Sequence, residues 1–259
     1  MSEGSENNER LTKEERLRAI FDLMHRTMMH HAMWFDEASR QHGREKAYRL
    51  LDEVMRKSME IQMKRWSKAL GFEMEGEFPK PLLDLPEEKL IGLTEAVAVN
   101  WLANDGLWFQ AVEFTEGMPQ AKLCNDATWA CYSPFEAWSV KRLLNLGDKP
   151  GLEGLKKALK FRCYGFINKQ SFIQETPTSF VYMMNDCRVQ SARKRKGLDD
   201  YPCKSAGIME YYKFAEGIDP RIQTEVITCP PDLHPEEHYC AWKFTCCAGT
   251  DLPPQTEPG

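Results

Sequence analysis

Trp34-Phe35-Asp36-Glu37-Ala38-Ser39-Arg40-Gln41-His42-Gly43-Arg44-Glu45-Lys46-Ala47 decides the fold, because its skeleton returns once later in the chain. Trp108-Phe109 repeats Trp34-Phe35, Gly117 repeats Gly43 and Ala121 repeats Ala47, each pair 74 residues apart. One offset shared by all of these pairs predicts a duplicated helical hairpin. In the first copy Leu17, Ile20, Phe21, Met24, Met28 and Phe35 recur at helical spacing, so one helix runs from Thr12 to about Gln41 and stops at Gly43. Thr12 and Glu15 form a capping box, each side chain satisfying an orphan backbone N–H of the first turn. A second helix follows over residues 44–70, ended by Gly71. The same offset lays Thr12 on Pro86, a residue that suits a helix start, and Leu70-Gly71 meets Leu146-Gly147 once two residues are inserted. Trp34 and Trp108 should therefore occupy equivalent environments, expected to be core.

In the second copy the partner of helix 44–70 is expected to break at Cys124-Asn125-Asp126 and to restart at Ser133-Pro134-Phe135-Glu136, which reads as cap, proline and capping glutamate. Phe78-Pro79-Lys80-Pro81 with Pro86 reads as an extended linker between the copies, and a short helix over 152–159 closes the helical half. From Phe161 the spacing becomes strand-like, through Phe172-Ile173 and then Phe180 to Met184, with Glu175-Thr176-Pro177-Thr178 as the turn. Short helices over 188–197 and 204–216 precede two last strands, Ile222 to Cys229 and Tyr239 to Cys246. The fold class is α+β: an N-terminal duplicated helical-hairpin bundle over 12–160 packed on a small antiparallel sheet with two helices over 161–247. Residues 1–11 and 248–259 read as disordered.

The chain has 259 residues, 42% of them hydrophobic, enough for a real core. Its net charge of −5 argues against a broad nucleic-acid face, so the run Arg193-Lys194-Arg195-Lys196 reads as a solvated helix end. Met1 to Arg10 resembles neither a secretory signal nor a transit peptide, and no apolar run reaches the roughly 18 residues needed to span a bilayer. A cytoplasmic protein without membrane partners is expected. In that reducing compartment nine cysteines read as thiols, metal ligands or catalytic groups.

Four of those cysteines fall at predicted strand ends or helix starts. Cys203 is the candidate nucleophile, since a thiol at a helix N-terminus beside Lys204 has its thiolate favoured by the dipole and the cation; a buried structural thiol is the plain alternative. Cys187 is a second candidate, and Arg188, Lys204 and Asp186 are the candidate substrate-binding residues, Arg188 and Lys204 suiting a carboxylate. Cys240, Trp242 and Phe244 alternate onto one strand face, which predicts a buried Cys240. The competing account is a zinc or iron–sulfur site made from Cys187, Cys203, Cys229, Cys240 and His234, although no Cys-x-x-Cys pair is present. Without metal, Cys187, Cys203 and Cys240 are expected to line one pocket with Cys229 at its rim. A second cluster lies in the helical half: the repeat equates His31 with Asp105 and, with a two-residue shift, Glu37 with Glu113, so the four would meet on the bundle axis as metal ligands. Packed or exposed histidines are the plain reading there.

On His31 to Phe35, Asn100 to Gly106, Trp108 to Glu113, Asn185 to Lys204 and Cys229 to Phe244, the sequence resembles a family of cytosolic bacterial and archaeal proteins of unknown function, akin to the L-2-amino-thiazoline-4-carboxylic acid hydrolases. The hydrolase likeness rests on Cys187, Cys203 and Cys240-Ala241-Trp242-Lys243-Phe244, while Cys229-Pro230-Pro231-Asp232 and Asn104-Asp105 depart from the hydrolases. The resemblance implies a cysteine-dependent hydrolase acting on a C–N or C–S bond of a small carboxylated, thiazoline-like substrate. The alternative is a non-enzymatic zinc, iron–sulfur or redox module using the same thiols.

Overall fold

The structure is a computed structural model that describes residues 11–195, 197 and 200–246. The sequence readings for 1–10, Lys196, Cys247 and the tail lie outside the described residues. The chain divides into two compact units, one ending at Asp84 and the other beginning at Leu85.

The first unit is a hairpin of α1 (Lys13–His42) and α2 (Arg44–Leu70), followed by a two-residue strand pair β1 (Met74–Glu75) and β2 (Phe78–Pro79) and a short helix α3 (Lys80–Leu83). The predicted capping box is present, with the Glu15 N–H donating to Thr12 Oγ1 and the Thr12 N–H donating to Glu15 Oε2. Gly43 turns the chain at φ 80°, a left-handed value that favours glycine, and its N–H donates to the Ser39 carbonyl at 2.9 Å. Gly71 ends α2 in the left-handed conformation. Where an extended linker was expected, Phe78-Pro79 pairs as a strand and Lys80-Pro81 opens a helical turn.

The second unit begins with α4 (Glu87–Glu116) and α5 (Met118–Leu143), the second copy of the hairpin. The correspondence is close: α4 has the 30 residues of α1, Pro86 stands as its N-cap where Thr12 stands, and Gly117 turns at φ 88° with its N–H on the Glu113 carbonyl at 2.9 Å. Ala47 and Ala121, each 1% exposed, pack at the two turns. Trp34 and Trp108 are equivalent as expected, but at 66% and 65% exposed they are not core.

Two features of α5 correct the sequence reading. The helix runs unbroken through Cys124-Asn125-Asp126, and Pro134 sits inside it instead of starting a new one. Proline forfeits one helical hydrogen bond, but packing outweighs that loss: Ser133, Glu136, Ala137 and Val140 are all buried where α5 crosses α8 (Lys204–Ile218). The crossing is tight enough that a Cβ on Gly217 would lie 2.7 Å from Ala137 Cβ. The equivalence also fails at the far end, where α5 stops at Leu143 and Asn145, at φ 49°, takes the left-handed position that the alignment gave to Gly147.

After α6 (Gly151–Lys160) and a 3₁₀ turn (Cys163–Phe166) come β3 (Lys169–Thr176), β4 (Ser179–Asp186), α7 (Arg188–Arg195), α8, β5 (Ile222–Thr228) and β6 (Cys240–Cys246). The sheet is antiparallel in the order β3-β4-β6-β5. α8 lies on it, stacking Tyr211 on Trp242 with ring centroids 4.6 Å apart, and Phe180, Phe214, Ile218, Ile222 and Phe244 fill the layer between with no exposure. The fold is thus α+β, with helical hairpins and a four-stranded antiparallel sheet. Among the described residues no helix is long and apolar enough to cross a membrane.

Candidate functional site

β6 pairs with β4 so that Cys240 lies opposite Met184, which brings the start of β6 beside the end of β4 and the Cys187 that follows it. Cys240 is buried as its alternation predicts. Cys203 caps α8, and the next residue's N–H is anchored on the Pro230 carbonyl at 2.8 Å, which ties the helix start to the loop after Cys229. A Cβ on Gly207 would lie 2.9 Å from the Trp242 indole and 3.5 Å from Cys229 Sγ, so only glycine lets the first turn of α8 come this close.

Cys229 is the departure from expectation. It has no exposure and stands at the centre of the cluster instead of its rim: its Sγ lies 3.9 Å from Cys203 Sγ, and it also hydrogen-bonds Cys240. β5 ends at Thr228, and the chain carries Cys229 inward before Pro230 and Pro231 turn it away.

The thiols are electrostatically unequal. Cys203 is held below the usual thiol range, first by the hydrogen bond from Cys229 and then by Gln190 Nε2, which donates to its sulfur at 3.3 Å; burial opposes both. Cys229 moves the opposite way, first because its proton is given to Cys203, then through the neighbouring Cys240 and burial. Burial pushes Cys187 up to about 12. Of the two candidate nucleophiles, Cys203 is therefore the one whose surroundings favour ionisation, while those of Cys187 oppose it.

Gln190 was not anticipated. It is 1% exposed and bonds three ways: Nε2 to the Tyr201 carbonyl at 2.9 Å and to Cys203, and Oε1 from the Tyr201 N–H at 2.8 Å. It fixes the segment before Cys203 to α7.

The candidate substrate residues are partly committed elsewhere. Lys204 Nζ pairs with both oxygens of Asp232, at 3.0 and 2.9 Å, and that cation holds the Asp232 carboxylate below its ordinary range. Asp186 accepts from Ser191 Oγ at 2.6 Å in the first turn of α7. Arg188 is exposed, its backbone N–H donating to Asn168 Oδ1 at 3.0 Å.

The metal readings meet a geometric obstacle. Both ring nitrogens of His234 are engaged, Nε2 2.8 Å from Asp200 Oδ2 and Nδ1 2.8 Å from the Pro235 carbonyl; burial lowers its basicity, but Asp200 and Pro235 outweigh this and raise it. Glu37 is taken by Arg40, at 2.6 Å, and Gln41. Among the described residues no group of three or more His, Cys, Asp and Glu side chains is arranged to hold a metal ion. The cysteine set with His234 is not assembled as a metal centre, and the set of His31, Glu37, Asp105 and Glu113 is divided between the two compact units.

Three members of that second set, His31, Glu37 and Asp105, instead line hollows, and Glu113 lines neither. In the first hairpin His31 and Glu37 border a groove of about 530 Å³ between α1 and α2. In the second, Asp105 borders a cavity of about 400 Å³ between α4 and α5. The hollows are equivalent under the 74-residue offset, Trp34, Phe35 and Ala47 of one matching Trp108, Phe109 and Ala121 of the other.

Beneath the second hollow lies a buried ionic group that the sequence reading missed. Arg162, 1% exposed, gives Nε to Glu136 at 2.8 Å and Nη1 to Glu210 at 2.7 Å, with the Trp129 and Phe214 rings over its guanidinium.

A family profile for a family of unknown function, DUF6125, matches residues 83–246, more than half of the chain. The chain belongs to the DUF6125 family. The match coincides with the second unit, so the thiol cluster, the α4/α5 cavity and the Arg162 group all lie within the DUF6125 region. No curated protein matches the chain. Among solved structures it is similar to the phenol-responsive sensory domain of the transcription activator PoxR bound to phenol, at 11% identity over 59% of this chain and 73% of that one. The TM-score of 0.36 is too low to carry an argument.

Proposed function

We propose that the chain is a cysteine-dependent hydrolase in which Cys203 attacks the electrophilic carbon of a C–N or C–S bond in a small carboxylated, thiazoline-like substrate. The observation that carries this reading is the pair of donors on one sulfur, Cys229 and Gln190 on Cys203, at the start of α8. Donors to a thiolate favour the nucleophilic form. The new S–C bond forms as the C–N or C–S bond breaks, the leaving atom takes a proton, and water then cleaves the thioester-like adduct and returns Cys203. Exposed Arg188 is the carboxylate anchor of this scheme, because Lys204 is already paired with Asp232. The resemblance to the L-2-amino-thiazoline-4-carboxylic acid hydrolases supports the substrate class. Incubating the protein with that compound and following ring opening by mass spectrometry tests the reading: turnover should vanish in Cys203→Ser and persist in Cys131→Ser. Turnover that survives Cys203→Ser, or none at all, contradicts it.

A second reading rests on the 3.9 Å between Cys203 and Cys229. A thiolate beside a thiol suits dithiol–disulfide exchange, with Cys203 attacking a donor disulfide and Cys229 resolving the mixed disulfide. Oxidised glutathione should then yield a Cys203–Cys229 bond, which peptide mapping identifies. Stable glutathionylation of Cys203 alone would exclude this reading and leave the hydrolase one.

A further inference from the structure

The cavity between α4 and α5 has a chemistry that the thiol site does not explain. Trp101 and Tyr132 stack with centroids 5.7 Å apart, and Trp129 meets both edge-on, at 5.9 and 5.7 Å. Trp108 and Phe109 complete an aromatic lining around a volume of about 400 Å³, within the range of small-ligand sites.

Among the described residues, Asp105 is the one ionisable carboxylate on that lining, and no Lys, Arg or His side chain lines it. Its carboxylate has neither a hydrogen bond nor an ion pair among the described residues, and burial raises its pKa. The cations nearby are committed elsewhere. Arg162 lies by Trp129 but is held between Glu136 and Glu210, and Lys122 donates to the Pro202 carbonyl at 2.8 Å.

Indole and phenol rings present negative faces that attract cations, and they do so more strongly where water is thin. A desolvated carboxylate without a partner asks for positive charge from the same direction. We propose that this cavity is a binding site for a small organic ammonium ion, its cationic head set against Asp105 and the Trp101 and Trp108 rings. The inference is independent of Cys203 chemistry.

The equivalent groove of the first hairpin is a natural control. It carries His31 in place of Asp105 and Thr27 in place of Trp101, and its one carboxylate, Glu37, is already paired with Arg40, so it lacks both an unpaired anion and one of the aromatic walls. One ion per chain is therefore expected.

The test is isothermal titration of the full chain with benzyltrimethylammonium and with neopentylbenzene, its uncharged isostere. The ammonium should bind once per chain and about tenfold or more tighter than the isostere, the equivalent of about 1.4 kcal/mol. Asp105→Asn should remove that preference, and Trp108→Ala should weaken ammonium binding severalfold. Neither variant threatens the fold, since one keeps the side chain's shape and the other removes a ring that is 65% exposed. Equal affinity for the two probes, an unchanged preference in Asp105→Asn, unchanged binding in Trp108→Ala, or no saturable binding would each overturn the proposal.

Discussion

Gln190 Nε2 sits 3.3 Å from Cys203 Sγ, joining a side chain of α7 to the thiol that opens α8. The same amide holds Tyr201 by its backbone, so it both orients the segment and donates to the sulfur. Gln190→Ala should raise the apparent pKa of Cys203 and slow its alkylation at neutral pH by several-fold. A thiol whose pH profile is unmoved in the variant would show that Gln190 only positions the backbone.

Arg162 is the charge on which the second unit's interior depends. Removing it leaves Glu136 and Glu210 facing each other without a cation, and breaking a buried pair in this way costs about 3–5 kcal/mol. Arg162→Met should show that loss in urea unfolding. The triple variant with Glu136→Gln and Glu210→Gln should recover much of it; if the single variant is as stable as the parent, the pairing is not structural.

Glu210 supplies a pH signature. Burial raises its pKa to about 7, and Arg162 offsets only part of that rise. Because the folded pKa exceeds the ordinary glutamate value of 4.5, the folded state holds the proton more tightly. Its contribution is fully present below about pH 4.5 and is lost as pH rises through about 7. Unfolding free energy should fall across that window, and the fall should flatten in Glu210→Gln. The same slope in both proteins would place the titration on another group.

Gly217 is fixed by contact with α5. A methyl there would lie 2.7 Å from Ala137 Cβ and 3.7 Å from Pro134 Cα, so Gly217→Ala must push two helices apart. A destabilisation of about 1–3 kcal/mol is expected, read from the urea midpoint. An unchanged midpoint would mean that the crossing yields freely.

The repeat was legible because a single offset fixes a helix length, a turn glycine and a packed alanine together, and α1 and α4 keep all three. The sheet was legible from alternation, as Cys240, Trp242 and Phe244 show. Pro134 misled because the local signal for a helix start is strong, and only the long contact of α5 with α8 overrides it. Trp34 and Trp108 misled for a related reason: bulk and apolarity suggest burial, whereas both rings stand at the mouths of hollows. Gln190 gave no local signal, since its partners lie 11 and 13 residues away. The Arg162 group did leave a trace. Glu210 interrupts the buried stripe Ala206, Phe214 and Ile218 on one face of α8, and Glu136 does the same beside Trp129, Ser133 and Val140 on α5. A carboxylate on an apolar stripe needs a buried cation, and the partner could have been sought on that ground.

The central claim is that Cys203 is the thiolate of the cluster, and iodoacetamide alkylation followed residue by residue with pH tests it most directly. The account predicts that Cys203 reacts first and that its rate levels off at a pH below the usual thiol range, with Cys187 and Cys229 the slowest. Labelling of Cys187 ahead of Cys203, or a Cys203 rate that levels off only in the usual thiol range, would contradict it.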